Sequence, residues 1–248
     1  MILAIDIRNT NITLGFFKEN RLIERCAIST SASQYLSFLR KYFNKYPIEK
    51  IIISSVEPQA AKKLKQALNK LKFYDALILG ENCFVPIKNK YQIPQQAGQD
   101  RLVNAFAAVK LYGCPAIVAD FGTAVTFDAV SGKGEFLGGM IFPGMEASLT
   151  YLAQRTALLP KINLSGRPKD MLGRNTRDCM ISGMIYGFSS LSDGVIRKLK
   201  QKLGKNIIAI GTGGNINLIS GYCREFSVVD VNLTLKGLNL IAEKVKLT

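Results

Sequence analysis

The sequence predicts an α/β protein assembled from two like halves, and three observations carry that expectation. Apolar runs of strand length alternate with helical patterns along all 248 residues. A phrase in which an apolar strand ends on Asp, turns and runs back as a second strand occurs twice, as LAIDIRNTNITLGFF and as VADFGTAVTFDAV. Each copy also opens a three-strand meander that gives way to helices and further buried strands. With Asp6 laid on Asp120, Arg8 falls on Gly122 and Asn9 on Thr123. No linker or low-complexity segment separates the halves, which divide near Pro115 into residues 1–115 and 116–248.

In chain order, residues 2–7, 12–18 and 22–29 read as consecutive strands, the first two apolar and the third alternating. A helix is predicted over 33–42, with Leu36, Leu39 and Phe43 on its inner side, then a buried strand over 51–54 after the break at Pro47. A lysine-rich helix follows Pro58, and 76–79 is a further short strand. Residues 81–99 form a long loop rich in Asn, Gln and Pro, a candidate functional segment because loops of that length are uncommon unless they work. Residues 100–111 read as a helix with Asp100 in its N-cap region and Leu102, Phe106 and Val109 on its buried side.

The meander then repeats over 116–120, 125–130 and 136–141. Pro143 and Gly144 start a helix to about Arg155, and 176–202 reads as a long helix. The strand over 206–210 feeds the glycine turn GTGG, and 233–245 is a final amphipathic helix.

Composition narrows the chemistry. With 48% hydrophobic and 21% charged residues the chain is globular, and no stretch approaches the roughly 20 apolar residues of a membrane span, so a cytoplasmic protein with no membrane partner is expected. The five cysteines form no CxxC pair and there is no histidine to complete a zinc site, so they read as reduced core thiols. The lack of histidine also excludes Ser-His-Asp and Cys-His catalysis, leaving a carboxylate, Lys, Tyr or Cys as general base. The net charge of +15 would suit a nucleic acid. The lysines of AAKKLKQALNKLK, however, fall off the stripe formed by Ala61, Leu64, Leu68 and Leu71, which makes them a solvated helix face and disfavours a nucleic-acid partner.

Three turns follow apolar strands: DIRNT, DFGTA and GTGG. A strand-terminal carboxylate can hold a cation or its water, and turn N–H groups and hydroxyls donate to phosphate oxygens. The lysine-bearing P-loop is absent and GTGGNI does not complete GxGxxG. The pattern therefore points to a nucleotide gripped from two hairpins, with the two halves facing each other across it.

The segments DIRNTNITLGFF, ISSVEP, YQIPQQAGQDRLVNA, DFGTAVTFDAV, GGMIFPG, LLP, GRNT, GTGG and LTLKGL stand in the order and spacing of type III pantothenate kinases. The sequence resembles that family over essentially the whole chain. More broadly, the duplicated meander resembles the superfamily of acetate and sugar kinases, heat-shock chaperone ATPases and actin. The resemblance implies a duplicated ribonuclease H-like (actin-like ATPase) fold, with two mixed β-sheets flanked by helices, and transfer of the ATP γ-phosphoryl to the primary hydroxyl of pantothenate, the first step of coenzyme A biosynthesis. It further implies a homodimer, Mg²⁺ accompanying ATP, and a monovalent cation, potassium or alternatively ammonium.

By the same resemblance, Asp6, Ile7, Arg8, Asn9, Thr10, Asn11, Ile12 and Thr13 look like the first ATP-phosphate hairpin and Thr123 like the second. Asp120 resembles the ligand of the monovalent cation, and residues 211–214 would lie against the adenosine. Asp100 resembles the catalytic base, within a substrate-binding stretch of Gly98, Gln99, Asp100 and Arg101; Tyr91 and Thr176 match further pantothenate contacts. Arg101 suits the pantothenate carboxylate. In the long helix over 176–202, Met180, Met184, Ile185, Tyr186 and Phe188 exceed one buried stripe, as an interface would require. Two positions depart from the family pattern: Arg8 and Gln99 stand where the family has Gly and Ala. A turn requiring positive φ at Arg8 would cost about 1–2 kcal/mol, and its side chain would crowd the phosphates, point outward, or meet them as an extra cation. The rival reading, in a different class, is a non-catalytic transcriptional accessory regulator of the same family.

Overall fold

In the computed structural model, residues 1–245 are described. The elements run β1 (Ile2–Ile7), β2 (Asn11–Lys18), β3 (Arg21–Ser29), α1 (Tyr35–Lys45), β4 (Lys50–Ser55), α2 (Pro58–Lys70), β5 (Leu77–Ile78), a 3₁₀ turn (Pro94–Gln96) and α3 (Gln99–Leu111). They continue with β6 (Ala116–Phe121), β7 (Ala124–Val130), β8 (Phe136–Pro143), α4 (Met145–Arg155), α5 (Thr176–Leu203), β9 (Ile208–Thr212), α6 (Ile216–Ile219), a second 3₁₀ turn (Ser220–Tyr222), β10 (Val228–Val229) and α7 (Leu233–Lys244).

Two compact units result. One takes in Met1–Lys88, Gln92–Ala107 and the chain from Leu233 onward; the other takes in Asn89–Tyr91 and Ala108–Asn232. The first sheet has the order β3-β2-β1-β4-β5 and the second, read from its far edge, β8-β7-β6-β9-β10. In each, three antiparallel strands are continued by two parallel ones. The two mixed sheets therefore share one topology, as the repeated meander predicts.

The central strands of the first unit's sheet are buried on both faces, which is why β1 and β4 read as unbroken apolar runs, whereas the edge strand β3 alternates. Leu3, Ile5 and Ile7 of β1 pack with Tyr35, Leu39 and Tyr42 of α1 and Leu64 and Leu68 of α2. Ala4 belongs to the opposite cluster, with Val103 and Phe106 of α3 and Leu235, Leu238 and Ile241 of α7. Strand period two thus turns Asp6 toward the side of α3 and α7. The lysines of α2 are exposed, as its periodicity predicts. On α1 the buried residues are Tyr35, Leu39 and Tyr42, while Leu36 and Phe43 are only partly covered. Residues 101–108 of α3 are buried on every side, wider than the single stripe expected.

In the second unit, Ile117, Ala119 and Phe121 of β6 pack against Ile181, Ile185 and Ile196 of α5 and Ile216 and Ile219 of α6. Met184 and Phe188 also rest on this core, and the Tyr186 ring meets Tyr222 edge-on at 5.1 Å. Part of the apolar excess of α5 is therefore used inside the unit. The five cysteines are free thiols, but only Cys83 is buried, whereas Cys114 and Cys179 are exposed, so the expectation of core thiols holds for one of the five. Among the described residues no helix is long and apolar enough to cross a membrane.

Candidate active site

The two hairpins share a cross-strand pair and differ in length. Asp6 stands opposite Thr13, and Asp120 opposite Thr126. The last pair is Ile7–Ile12 in the first hairpin and Phe121–Val125 in the second, so the first turn holds one residue more. A match by constant offset therefore holds along β1 and β6 and is lost inside the turn, where Asn9 and Thr123 were aligned. Asn9, Thr10 and Asn11 are exposed at the first tip, as Thr123 is at the second, while Ile7 and Ile12 are buried beneath the first. The Arg8 N–H donates to the Asn11 carbonyl at 3.0 Å and closes that turn.

Arg8 does not carry the expected backbone strain: among the described residues, those at positive φ other than glycine are Glu19 and Lys72. Its side chain does not project outward. Arg8 Nε donates to Asp6 Oδ2 at 2.7 Å, and Nη2 donates to Thr234 Oγ1 at 3.1 Å. Thr234 Oγ1 in turn donates to Asn104 Oδ1 at 2.7 Å. Asp6, Asn104 and Thr234 are all buried, so this chain of contacts lies in a low-dielectric setting that strengthens it. One turn along α7 from Thr234, a Cβ on Gly237 would come within 2.8 Å of Val103 and 2.9 Å of Ala107. That close approach of α7 to α3 accounts physically for two residues of LTLKGL.

Asp100 is the second residue of α3, two positions after the cap position at Gly98, and its Oδ1 accepts from the Arg101 N–H at 2.9 Å. The carboxylate lies back over Gly98, where a Cβ would stand 2.6 Å from Oδ1. Gln99 folds over Gly80, whose φ of +85° turns the chain there. Arg101 is buried in the same turn. Any side chain at position 98 would therefore displace the Asp100 carboxylate from this place.

In the second unit, Asp120 is buried at the end of β6, in register with Thr126 on one side and Thr212 on the other. Gly213 turns the chain beside it at φ +94°, so close that a Cβ would run into the Asp120 carboxylate and stand 2.5 Å from the Phe121 nitrogen. The second hairpin is braced by α4, since the Gly144 N–H donates to the Thr123 carbonyl at 3.1 Å. Tyr91 lies along the start of β8, its ring 5.5 Å from that of Phe136 and over Gly138 at φ +109°, where a Cβ would meet it at 2.9 Å. Thr176 is exposed as the first residue of α5, behind the cap in which Asn175 Oδ1 accepts from the Asp178 N–H.

Among the described residues no three His, Cys, Asp or Glu side chains group as a metal site. Asp120 with the hydroxyl-bearing Thr126 and Thr212 is nevertheless an all-oxygen set, which fits a hard cation.

The type III pantothenate kinase family matches residues 2–198. A type III pantothenate kinase from Syntrophobacter fumaroxidans is 37% identical over 255 residues, covering 99% of each chain. Another from Halalkalibacterium halodurans is 38% identical over 253 residues, covering 98% of this chain and 99% of that one. The chain belongs to the type III pantothenate kinase family. Among solved structures, a Sinorhizobium meliloti protein described as a 2-dehydro-3-deoxygalactonokinase superposes with a TM-score of 0.63 at 12% identity, over 100% of this chain and 99% of that one. A Campylobacter jejuni protein ascribed to the Baf family of transcriptional activators gives 0.62 at 20% identity, over 98% of each chain. At such identities the likeness shows the fold alone, which is the actin-like ATPase fold with its two mixed sheets.

Of the residues the sequence singles out, the first unit brings Asp6, Arg8, Asp100 and Arg101 onto β1 and α3, and the second gathers Asp120, Thr123 and residues 211–214 about the ends of β6 and β9. Tyr91 and Thr176 sit apart, on the β8 and α5 sides of that unit. Asn104 and Thr234 were not singled out by sequence. Both fall inside quoted family segments, QDRLVNA and LTLKGL, but nothing in their spacing couples positions 130 residues apart.

Proposed function

We propose that this member of the type III pantothenate kinase family phosphorylates pantothenate. The observation that carries the reading is that relatives matching it end to end, at 36–38% identity, are named type III pantothenate kinases. The enzyme is an ATP-dependent phosphotransferase acting on an alcohol. The pantothenate hydroxyl oxygen bonds to the γ-phosphorus, the bond from that phosphorus to the bridging oxygen breaks, and ADP leaves with 4′-phosphopantothenate as the other product. A loose transition state asks the protein mainly for alignment and charge neutralisation.

Residues 6–13 and Thr123 hold the ATP phosphates in this reading, through turn N–H groups and hydroxyls. Asp100 accepts the hydroxyl proton, a role typically worth about 10²–10⁴ in rate. The start of α3 favours its ionised form, which suits proton removal late in the reaction. Arg101 answers the pantothenate carboxylate, and Gly98, Gln99, Tyr91 and Thr176 shape the remainder of the substrate site. Asp120, Thr126 and Thr212 hold the monovalent cation, potassium or ammonium, whose charge offsets that of the triphosphate. Mg²⁺ arrives with ATP.

The protein acts in the cytoplasm as a homodimer. Exposed Leu137 and Ile141 on β8, Tyr151 on α4, and Leu158 beyond it support an apolar interface. Residues 1–115 and 116–248 are the halves of an ancestral duplication, as the two matching sheet orders support. The regulator reading is not favoured, because the full-length relatives are named as kinases.

The test is ADP release with pantothenate, Mg²⁺ and potassium, with Asp100→Asn as control. Turnover should require pantothenate, fall at least about 10²-fold in Asp100→Asn, and decline when sodium replaces potassium. Absence of pantothenate-dependent turnover, or equal turnover in the variant, would sink the assignment.

A further inference from the structure

We propose that Arg8, Thr234 and Asn104 form a positioning clasp that fixes the first phosphate hairpin to the helix carrying Asp100. The inference rests on the reading in which residues 6–13 hold ATP and Asp100 takes the proton. Its geometry has one direction of donation. Arg8 Nη2 donates to Thr234 Oγ1, and Thr234 spends its single hydroxyl proton on Asn104 Oδ1. Arg8 Nε meanwhile donates to Asp6 Oδ2, which ties the end of β1 into the same chain. The Thr234 hydroxyl, accepting from one neighbour and donating to the other, is therefore the joint.

Placement gives the clasp its consequence. Arg8 opens the turn that carries Asn9 and Thr10. Asn104 lies one helical turn beyond Asp100 on α3, a spacing that puts both on the same face. Gly237 presses α7 onto Val103, next to Asn104, so Thr234 has little room to drift. Burial of Asp6, Asn104 and Thr234 makes a broken contact costly to re-solvate. Arg8 also neutralises Asp6, which at the base of a phosphate hairpin would otherwise repel the triphosphate. Since misplacement of reacting groups by about 1 Å can cost 10²-fold in rate, a clasp reaching from hairpin to base helix acts on kcat.

The experiment compares wild type with Thr234→Val, Thr234→Ser, Asn104→Leu and the Thr234→Val/Asn104→Leu double variant, by steady-state kinetics in ATP and pantothenate. Thr234→Val should lower kcat about tenfold, the rate equivalent of one hydrogen bond to a charged group, with the pantothenate KM within about twofold. Thr234→Ser should restore kcat, and the double variant should be no slower than the worse single one. A kcat retained in Thr234→Val, no rescue by serine, or losses that multiply in the double variant would overturn the clasp. The contact is also read without turnover. In ¹⁵N spectra the Arg8 Nη2 protons should exchange slowly in wild type and Thr234→Ser, and fast in Thr234→Val. Equal exchange in all three refutes the clasp whatever the activity, whereas inactive wild type with the expected exchange pattern refutes only the kinase reading.

Discussion

Gly98→Ala is the substitution that most directly tests what Asp100 does. The new Cβ would stand 2.6 Å from Asp100 Oδ1, against 3.4 Å for ordinary contact, so the carboxylate must move by roughly 0.8 Å or rotate away. Either motion weakens the bond it accepts from the Arg101 N–H, a loss of about 1 kcal/mol at a helix start. Alanine's better helix propensity recovers at most a few tenths of that near the terminus. The net effect on stability is thus under about 1 kcal/mol, or about 2–4 °C in Tm. The effect on rate should be far larger, since a displacement approaching 1 Å can cost 10²-fold. Pantothenate-dependent ADP release should show kcat reduced about 10–10²-fold, the ATP KM unchanged and Tm nearly so. Gly194→Ala in α5, where nothing lies within 4 Å of the new Cβ, serves as control and should leave kcat alone. Wild-type kcat in a folded Gly98→Ala protein would refute the argument that the position of this carboxylate sets the rate.

Gly213→Ala combines a φ of +94°, worth about 1–2 kcal/mol of strain, with a collision against Asp120 and the Phe121 backbone; Tm should fall by several degrees and the potassium needed for half-maximal rate should rise, read by titrating the salt at saturating ATP. Gly138→Ala forces the Tyr91 ring aside from a position at φ +109°, so the pantothenate KM should rise severalfold while the ATP KM holds, as a two-substrate kinetic matrix will show. The Tyr42 hydroxyl is pushed up to about 12 by its hydrogen bond with Cys26 and by burial. A phenol raised in the folded state supports stability fully below its ordinary value of about 10 and loses that support as pH rises through 12. Melting curves of Tyr42→Phe should therefore fall less between pH 10 and 12 than those of wild type; parallel curves would show that the phenol is not held back.

What the sequence made legible follows from how each feature is written into it. Strands buried on both faces need continuous apolar residues, so β1, β4 and β6 could be read as strands, and the Asp at the end of β1 and of β6 marked where each turn begins. The two residues of β10 leave no such pattern and were not foreseen. Glycines were legible as turns but not as partners: nothing in GGMIFPG says that Gly138 makes room for Tyr91, nor in AGQDR that Gly98 makes room for Asp100. Arg8 shows the same limit more sharply. Sequence posed it as strain or crowding, and the answer depended on Thr234, brought beside it by a helix more than 200 residues later.

The divergence of the two hairpins bears on which of them needs a bound cation. Both place an Asp opposite a Thr at the end of the central strand. In the first unit the carboxylate has Arg8 Nε at 2.7 Å, a positive charge supplied by the chain and held in place by α7. In the second, the position equivalent to Arg8 is Gly122, and Asp120 is flanked by Thr126, Thr212 and a glycine turn that no Cβ could enter. An arginine fits a carboxylate through two or more fixed donors, whereas hydroxyl and carboxylate oxygens around a close-approaching backbone suit a spherical ion. Under the proposed roles of the two hairpins, the first would carry its own positive charge at Asp6 and the second would take a bound cation at Asp120. If the proposed cation role of Asp120 holds, Arg8→Met should make turnover more dependent on added cations, and removal of potassium should act through Asp120 and leave the Asp6 pair intact.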